Sequence, residues 1–286
     1  MGWRLHDAPK LAPLYAKALL PKHRGKTLPD NEYVRQAIEL DPSHLAAYNQ
    51  VCGFRLSGEL PVTYPHLLAF PLQMALMTQA DFPFPLLGMV HVANRIIQHR
   101  PVRLDETVTM RVRAENLRPH EKGRQFDVLS EASTSDGVVW SEVSTYLRRG
   151  GGSADAKPGR QLAAPSPTAI WRVPDDIGRR YAAVSGDRNP IHLHPLTAKL
   201  FGFPSAIAHG MWTKARTLAA FEGRLPGAYT VDVRFKMPVL LPAKVAFTSW
   251  RTDAGWAFEL WNAGKPKPHL EGTITAAATP APRAGR

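Results

Sequence analysis

The chain predicts an α+β protein built from two copies of one unit, each a long buried helix wrapped by an antiparallel sheet. Three observations carry this expectation. Segments recur at a nearly constant offset: Tyr48-Asn49-Gln50-Val51-Cys52-Gly53-Phe54 matches Tyr181-Ala182-Ala183-Val184-Ser185-Gly186-Asp187 at a shift of 133 residues. Ala69-Phe70-Pro71-Leu72 matches Ala208-His209-Gly210-Met211 at 139, and Arg100-Pro101-Val102 matches Met237-Pro238-Val239 at 137. Between the copies the composition turns to Gly, Ser, Ala and Pro, as a linker does. Each copy also holds one helix-length apolar run and several stretches of period two. The length of 286 residues suits about two domains of ~150 residues each.

The elements follow in order. Residues 1–30, rich in Lys, Pro and His, form an N-terminal extension expected to lie over the outside. The first copy spans 31–149. In it, residues 67–79 are apolar enough for a helix buried on most of its surface. Residues 108–114, 126–130 and 138–146 carry Val, Thr, Met, Phe and Trp at strand-favouring positions. Residues 150–168 are the linker, and 169–274 the second copy. There a helix ends at Gly186, a buried helix covers 207–221, and strands cover 231–235 and 245–252. The Ala/Pro-rich tail, 275–286, is expected to be disordered.

One stretch suggests a reaction. In Ser185-Gly186-Asp187-Arg188-Asn189-Pro190-Ile191-His192 the helical approach stops at Gly186, and Asn189-Pro190 admits no continuing helix. Asp187 and His192 therefore share a fixed loop and can be aimed at one point. A carboxylate and an imidazole converging on one water are what hydration or dehydration needs. Seventeen residues after His192, His209-Gly210 opens the second apolar helix.

This combination resembles the MaoC-like hydratases, also called (R)-specific enoyl-CoA hydratases or hydratase-2 enzymes. The segment is similar to their S-G-D-x-N-P-x-H, followed by H-G at the start of the central helix. His194 departs from the pattern, since many relatives carry Asp or another small polar residue there. The resemblance implies a tandem (double) hot-dog fold forming a continuous sheet. It implies reversible hydration of trans-2-enoyl thioesters and dehydration of (3R)-3-hydroxyacyl thioesters in fatty-acid metabolism. Asp187, His192 and the Gly210 N–H are the expected catalytic groups; Ser185, Asn189, His209 and Met211 are expected around the substrate. The first copy has Phe54, Glu59 and Phe70-Pro71 in the matching places, so it is expected to be catalytically degenerate. Its run Leu72, Met74, Ala75, Leu76, Met77 offers an adaptable apolar wall for an acyl chain.

Charge and composition narrow the partners. The net charge is +12, and the second half holds most of it: residues 1–150 have 18 Lys+Arg against 15 Asp+Glu, residues 151–286 have 18 against 9. A basic field concentrates anionic ligands, and coenzyme A or an acyl carrier protein would each supply one. No Lys/Arg run or aromatic-basic motif points to nucleic acid. The most apolar region, 60–80, is broken by Pro61, Pro65 and Pro71, which argues against a membrane span. The lone Cys52 excludes an internal disulfide and a cysteine-rich zinc site, and points to a reducing, cytoplasmic compartment. No metal or cofactor is expected, and a homodimer of the two-copy chain is a compatible assembly. Two alternatives stand beside the hydratase: a hot-dog thioesterase, and a non-catalytic acyl-CoA or carrier-protein binder.

Overall fold

The computed structural model describes residues 2–18, 25–86, 88–150 and 164–276. Residues 151–163 of the expected linker and 277–286 of the expected tail lie outside them. In chain order the elements of the first half are β1 (Gly2–Leu5), α1 (Leu11–Ala18), β2 (Glu32–Ile38), α2 (Pro42–Cys52), α3 (Pro65–Met77), β3 (Met89–Gln98), β4 (Val108–His120), β5 (Gly123–Thr134) and β6 (Gly137–Arg149). The second half has β7 (Ala169–Val173), α4 (Ile177–Ser185), α5 (Pro190–Leu193), α6 (Pro195–Leu200), α7 (Gly210–Ala219), β8 (Tyr229–Phe235), β9 (Ala243–Thr252), β10 (Gly255–Asn262) and β11 (Pro268–Ala276).

The strands form one sheet in the order β1-β2-β4-β5-β6-β3-β8-β11-β10-β9-β7. All pairs are antiparallel except β1, which lies parallel to β2 at the edge. The halves meet at β3 and β8, where Ile96 faces Val231. Outward from that seam five strands of the second half repeat five of the first, with β1 alone unmatched at the edge, so the duplication becomes a two-fold arrangement about the centre. Alternation sets which face is buried: Val108, Met110 and Val112 of β4 point to the core, and Val231 and Val233 of β8 do the same. On that face lie α3 and α7, and one apolar core runs through both halves, from Leu72 and Leu76 of α3 to Ala215 and Leu218 of α7. Each fully buried Leu or Phe in it contributes about 1.5–3 kcal/mol. Cys52 is a small buried core residue of α2, and burial pushes its thiol up to about 12. No helix among the described residues is long and apolar enough to cross a membrane.

Two helices close the repeat signal. α2 and α4 both end at a left-handed glycine, Gly53 with φ 81° and Gly186 with φ 73°, so Phe54 follows one cap as Asp187 follows the other. The next matched rung corrects the sequence alignment. Leu60 N–H donates to Val102 C=O (2.8 Å) as Ala208 N–H donates to Val239 C=O (2.9 Å), and Glu59 bridges Arg103 as Ile207 bridges Leu240. Glu59 is therefore the counterpart of Ile207, not of His192. Phe70-Pro71 lie inside α3, whose first residue is Pro65, and are not the counterpart of His209-Gly210. An apolar run can slide along a buried helix without losing its pattern, whereas a backbone rung cannot. Between cap and rung the first half has six residues and the second 21, and that extra chain carries α5 and α6.

The halves also differ inside. In the first, the buried Glu142 of β6 accepts hydrogen bonds from His66 Nδ1 (2.9 Å), Asn94 Nδ2 (2.7 Å) and Gln73 Nε2 (3.3 Å). Lys214 of α7, fully buried, donates to the Asn94 carbonyl (3.1 Å) and to its side-chain oxygen. Helix α7 of one half is thus fastened to the central strand of the other.

Candidate active site

The site is assembled from the ends of α4, α5 and α7. Gly186 reverses the chain after α4, and the Asp187 N–H then donates to Ser185 Oγ (3.1 Å). Asn189 caps α5, with its Oδ1 accepting from Ile191 N–H (3.4 Å) and Pro190 in the first helical position. This short helix presses on α4 so closely that a Cβ at Gly178 would overlap the His192 carbonyl. His194, the departure from the family pattern, caps α6 by accepting from Leu196 N–H with its Nδ1 (3.2 Å).

His192 Nδ1 donates to the Ile207 carbonyl at 2.8 Å, while Ile207 N–H donates to the Ile191 carbonyl at 3.1 Å. Those two bonds fix both ring and tautomer, leaving Nε2 with its lone pair. The His209 ring stacks on the His192 ring with centroids 3.7 Å apart. Its Nε2 donates to the Asp187 carbonyl oxygen at 3.0 Å and lies 3.8 Å from Asp187 Oδ2. His209 is also the N-cap of α7, so Gly210 is that helix's first residue. The first N–H groups of a helix have no acceptor inside it, and the helix dipole makes that end positive. A Cβ at Gly210 would press on the Phe235 ring at 3.2–3.3 Å. Met211 is buried in the first turn of α7, among the core residues.

The charges respond to this packing. Burial raises the Asp187 carboxyl, but His209, His192, the Asn189 N–H and the Tyr15 hydroxyl outweigh it, and the group sits below its ordinary value. Burial lowers His192 against the opposing pull of Asp187 and the Ile207 carbonyl. Burial, and then the neighbouring His192, push His209 down to about 3. At neutral pH the site is one carboxylate and two neutral imidazoles. Donor atoms of Asp187, His192 and His209 lie within 4.8 Å of one another, as a metal site would require. His209 Nε2, however, points a proton at the Asp187 carbonyl, so two residues and not three offer lone pairs to a common point. The set fits water better than a cation.

Four residues expected from sequence, Asp187, His192, His209 and Gly210, come together here. Ser185 and Asn189 face inward to hold the Asp187 loop, Asn189 through its N–H to Asp187 Oδ1 (3.1 Å) and its side chain through the α5 cap. The sequence reading missed Tyr15. The extension of residues 1–30 does not only cover the outside: β1 borders the sheet, but α1 crosses to the site. Tyr15 Oη donates to Asp187 Oδ1 at 2.9 Å and accepts from Arg188 N–H at 2.8 Å. An isolated tyrosine 172 positions away carries no local pattern that could have announced this. The expected acyl wall is also redrawn. Leu72, Leu76 and Met77 belong to the main core, whereas Phe70 and Met74 turn toward α1, where they pack with Leu14, Leu11, Tyr15 and Ala75.

Comparison with known proteins bears on this constellation. A family described as MaoC like domain matches residues 153–271. The 3-hydroxyacyl-thioester dehydratase X of Mycobacterium tuberculosis is 42% identical over 263 residues, which is 91% of this chain and 94% of that protein. The crystal structure of HtdX from the same organism superposes with a TM-score of 0.78 at 42% identity, covering 86% of this chain and all of the other. A MaoC-like dehydratase from Phytophthora capsici has the same fold, with a TM-score of 0.70 at 19% identity over 88% of this chain and 97% of that one.

Proposed function

This chain belongs to the MaoC-like dehydratase family, and from that premise we propose that it catalyses the reversible hydration of trans-2-enoyl thioesters to (3R)-3-hydroxyacyl thioesters in fatty-acid metabolism. The observation that carries the reading is the convergence of the Asp187 carboxylate and the His192 Nε2 lone pair beside the N-terminus of α7. The thioester carbonyl oxygen takes the Gly210 N–H, where the helix end stabilises enolate-like charge. A water held between Asp187 and His192 adds its oxygen to the third carbon. The proton it releases passes through the pair to the second carbon, and the pair ends as it began. Dehydration is the same path reversed. Phe54 stands where Asp187 would be in the first half, which supports one active site per chain, in the second of two repeats covering 31–149 and 169–274.

Coenzyme A or an acyl carrier protein brings the acyl group, without metal or redox cofactor, so activity survives EDTA. The proposal extends to a cytoplasmic enzyme, supported by the single buried thiol of Cys52, and to a homodimer, supported by the place of β7 at the edge of the sheet, where no further described strand pairs with it. Hydration of crotonyl-CoA, followed by chiral analysis, tests the core of the reading. The expected product is (3R)-3-hydroxybutyryl-CoA. The (3S) product would exclude this site geometry, and release of free thiol without hydration would identify a thioesterase instead.

A further inference from the structure

We propose that Tyr15 is a positioning residue of the active site, which fixes the Asp187 carboxylate so that Oδ2, and not Oδ1, meets the water. The inference rests on the role given to Asp187 above. A phenol hydroxyl has one proton to give. Arg188 N–H, at 2.8 Å, can only donate to Tyr15 Oη, so the phenol proton is directed to Asp187 Oδ1 at 2.9 Å. Asn189 N–H donates to the same oxygen at 3.1 Å. Oδ1 thus takes two protein hydrogen bonds. Oδ2 takes none among the described residues and lies 3.8 Å from His209 Nε2. With one oxygen saturated from α1 and from the loop, rotation of the carboxylate is blocked and its free oxygen is turned toward the imidazoles.

The segment that brings Tyr15 here is anchored on both halves of the molecule. Leu14 of α1 is buried against Phe70 and Met74 of α3. Leu11 fills the space beside Gly186, where a Cβ would overlap its side chain. Burial, and then Asp187 itself, hold the phenol proton far above its ordinary range, so Tyr15 is a donor at every pH where the enzyme works. The titratable groups facing Asp187 are His209 at the cap of α7, His192 on α5, Tyr181 on α4, Tyr146 on β6 and Tyr15 on α1, with Arg188 next in the chain. Of these, Tyr15 is the only side chain among the described residues that hydrogen-bonds the carboxylate directly.

The test is Tyr15→Phe, which keeps the ring and the α1 packing and removes one hydroxyl. A charge-assisted hydrogen bond of this kind predicts roughly a tenfold fall in kcat with KM for crotonyl-CoA little changed. The Asp187 carboxyl should ionise at higher pH, because it loses a group that keeps it ionised, while the melting curve stays that of the wild type. Turnover at or above the wild-type level overturns the proposal, since it would make Tyr15 a bystander or a plug. A fall in kcat with an unmoved Asp187 carboxyl titration also overturns it, leaving only a packing role for α1. A second measurement does not depend on turnover. In protein labelled with carboxyl-13C aspartate, the Asp187 resonance, assigned by its loss in Asp187→Asn, should titrate at higher pH in Tyr15→Phe than in the wild type. If the wild type shows no hydration but this shift is present, the reaction assignment fails and the positioning stands. If hydration is present and the shift is absent, the reverse holds.

Discussion

The proposed mechanism needs Asp187 and His192 both in their deprotonated forms, and the packing lowers both, so acid and not base should switch the enzyme off. Burial depresses His192 below its ordinary 6.5, while the two histidines, the Asn189 N–H and the Tyr15 hydroxyl together outweigh burial to hold Asp187 below its ordinary 3.8. We therefore expect the acid inflection of kcat/KM to lie below 6.5; an inflection at or above 6.5 in the pH profile would contradict the assignment. Asp187→Asn and His192→Gln should each lower kcat by ~10² or more with unchanged melting curves, in line with the usual contribution of acid–base groups. Near-wild-type turnover in either variant would remove that residue from the mechanism. Gly178 is a sterner case because it touches no substrate. Any Cβ there drives the His192 carbonyl away, so Gly178→Ala should cost turnover through misplacement of α5. Asp187, Asn189 and His192 were legible in the sequence because a cap, a turn and a short helix lie within a few residues of one another. Tyr15 and Gly178 were not: one depends on a contact across most of the chain, the other on how closely two helices approach.

Helix α7 unites the site with the rest of the fold. Its first residue offers the N–H, and its second turn carries Lys214 into the interior, onto Asn94 of the opposite half. Nothing in the apolar run that announced this helix marked Lys214 as a buried residue. The matching run in the first half misled in another way, because its register on α3 was free to slide until a backbone rung fixed it. Burial pushes the Lys214 ammonium down to about 7 from 10.5. Between those values the unfolded chain holds a proton that the folded chain does not, so stability rises with pH across this window. Lys214→Met removes the group and should flatten that rise. Urea midpoints at pH 7 and pH 9.5, compared between wild type and variant, check it; equal pH dependence in the two would show that Lys214 titrates normally. Glu142→Ala, by contrast, should cost about 3–5 kcal/mol in urea unfolding, because it leaves the buried His66 Nδ1 without an acceptor and takes from Gln73 Nε2 and Asn94 Nδ2 one of the two acceptors each has.

At the scale of the whole molecule, duplication leaves a continuous sheet and core but unequal halves. Only the second repeat has the chain between cap and rung that supplies α5, and with it His192. The first repeat is left to shape what surrounds the reaction. One face of its α3, with Phe70, Met74 and Ala75, meets α1 at the place where Tyr15 reaches Asp187. That face borders the site, and its methionine can adapt to an irregular apolar tail. Ala69 of the same helix is fully buried in the main core, so a change there would report on folding and not on substrate. Ala75 is the discriminating position. If the acyl tail lies along this face, kcat/KM should rise from C4 toward C8 trans-2-enoyl-CoA, since each buried methylene is worth about 0.8 kcal/mol. Ala75→Phe would then fill the space the tail needs and depress C8 and longer substrates well beyond C4. Measuring both chain lengths on one preparation separates this from a general loss, because partial unfolding lowers every rate by the same factor. Equal reductions at C4 and C8 would take the acyl tail away from α3 and leave the first repeat as the partner that closes the sheet and holds α7 in place.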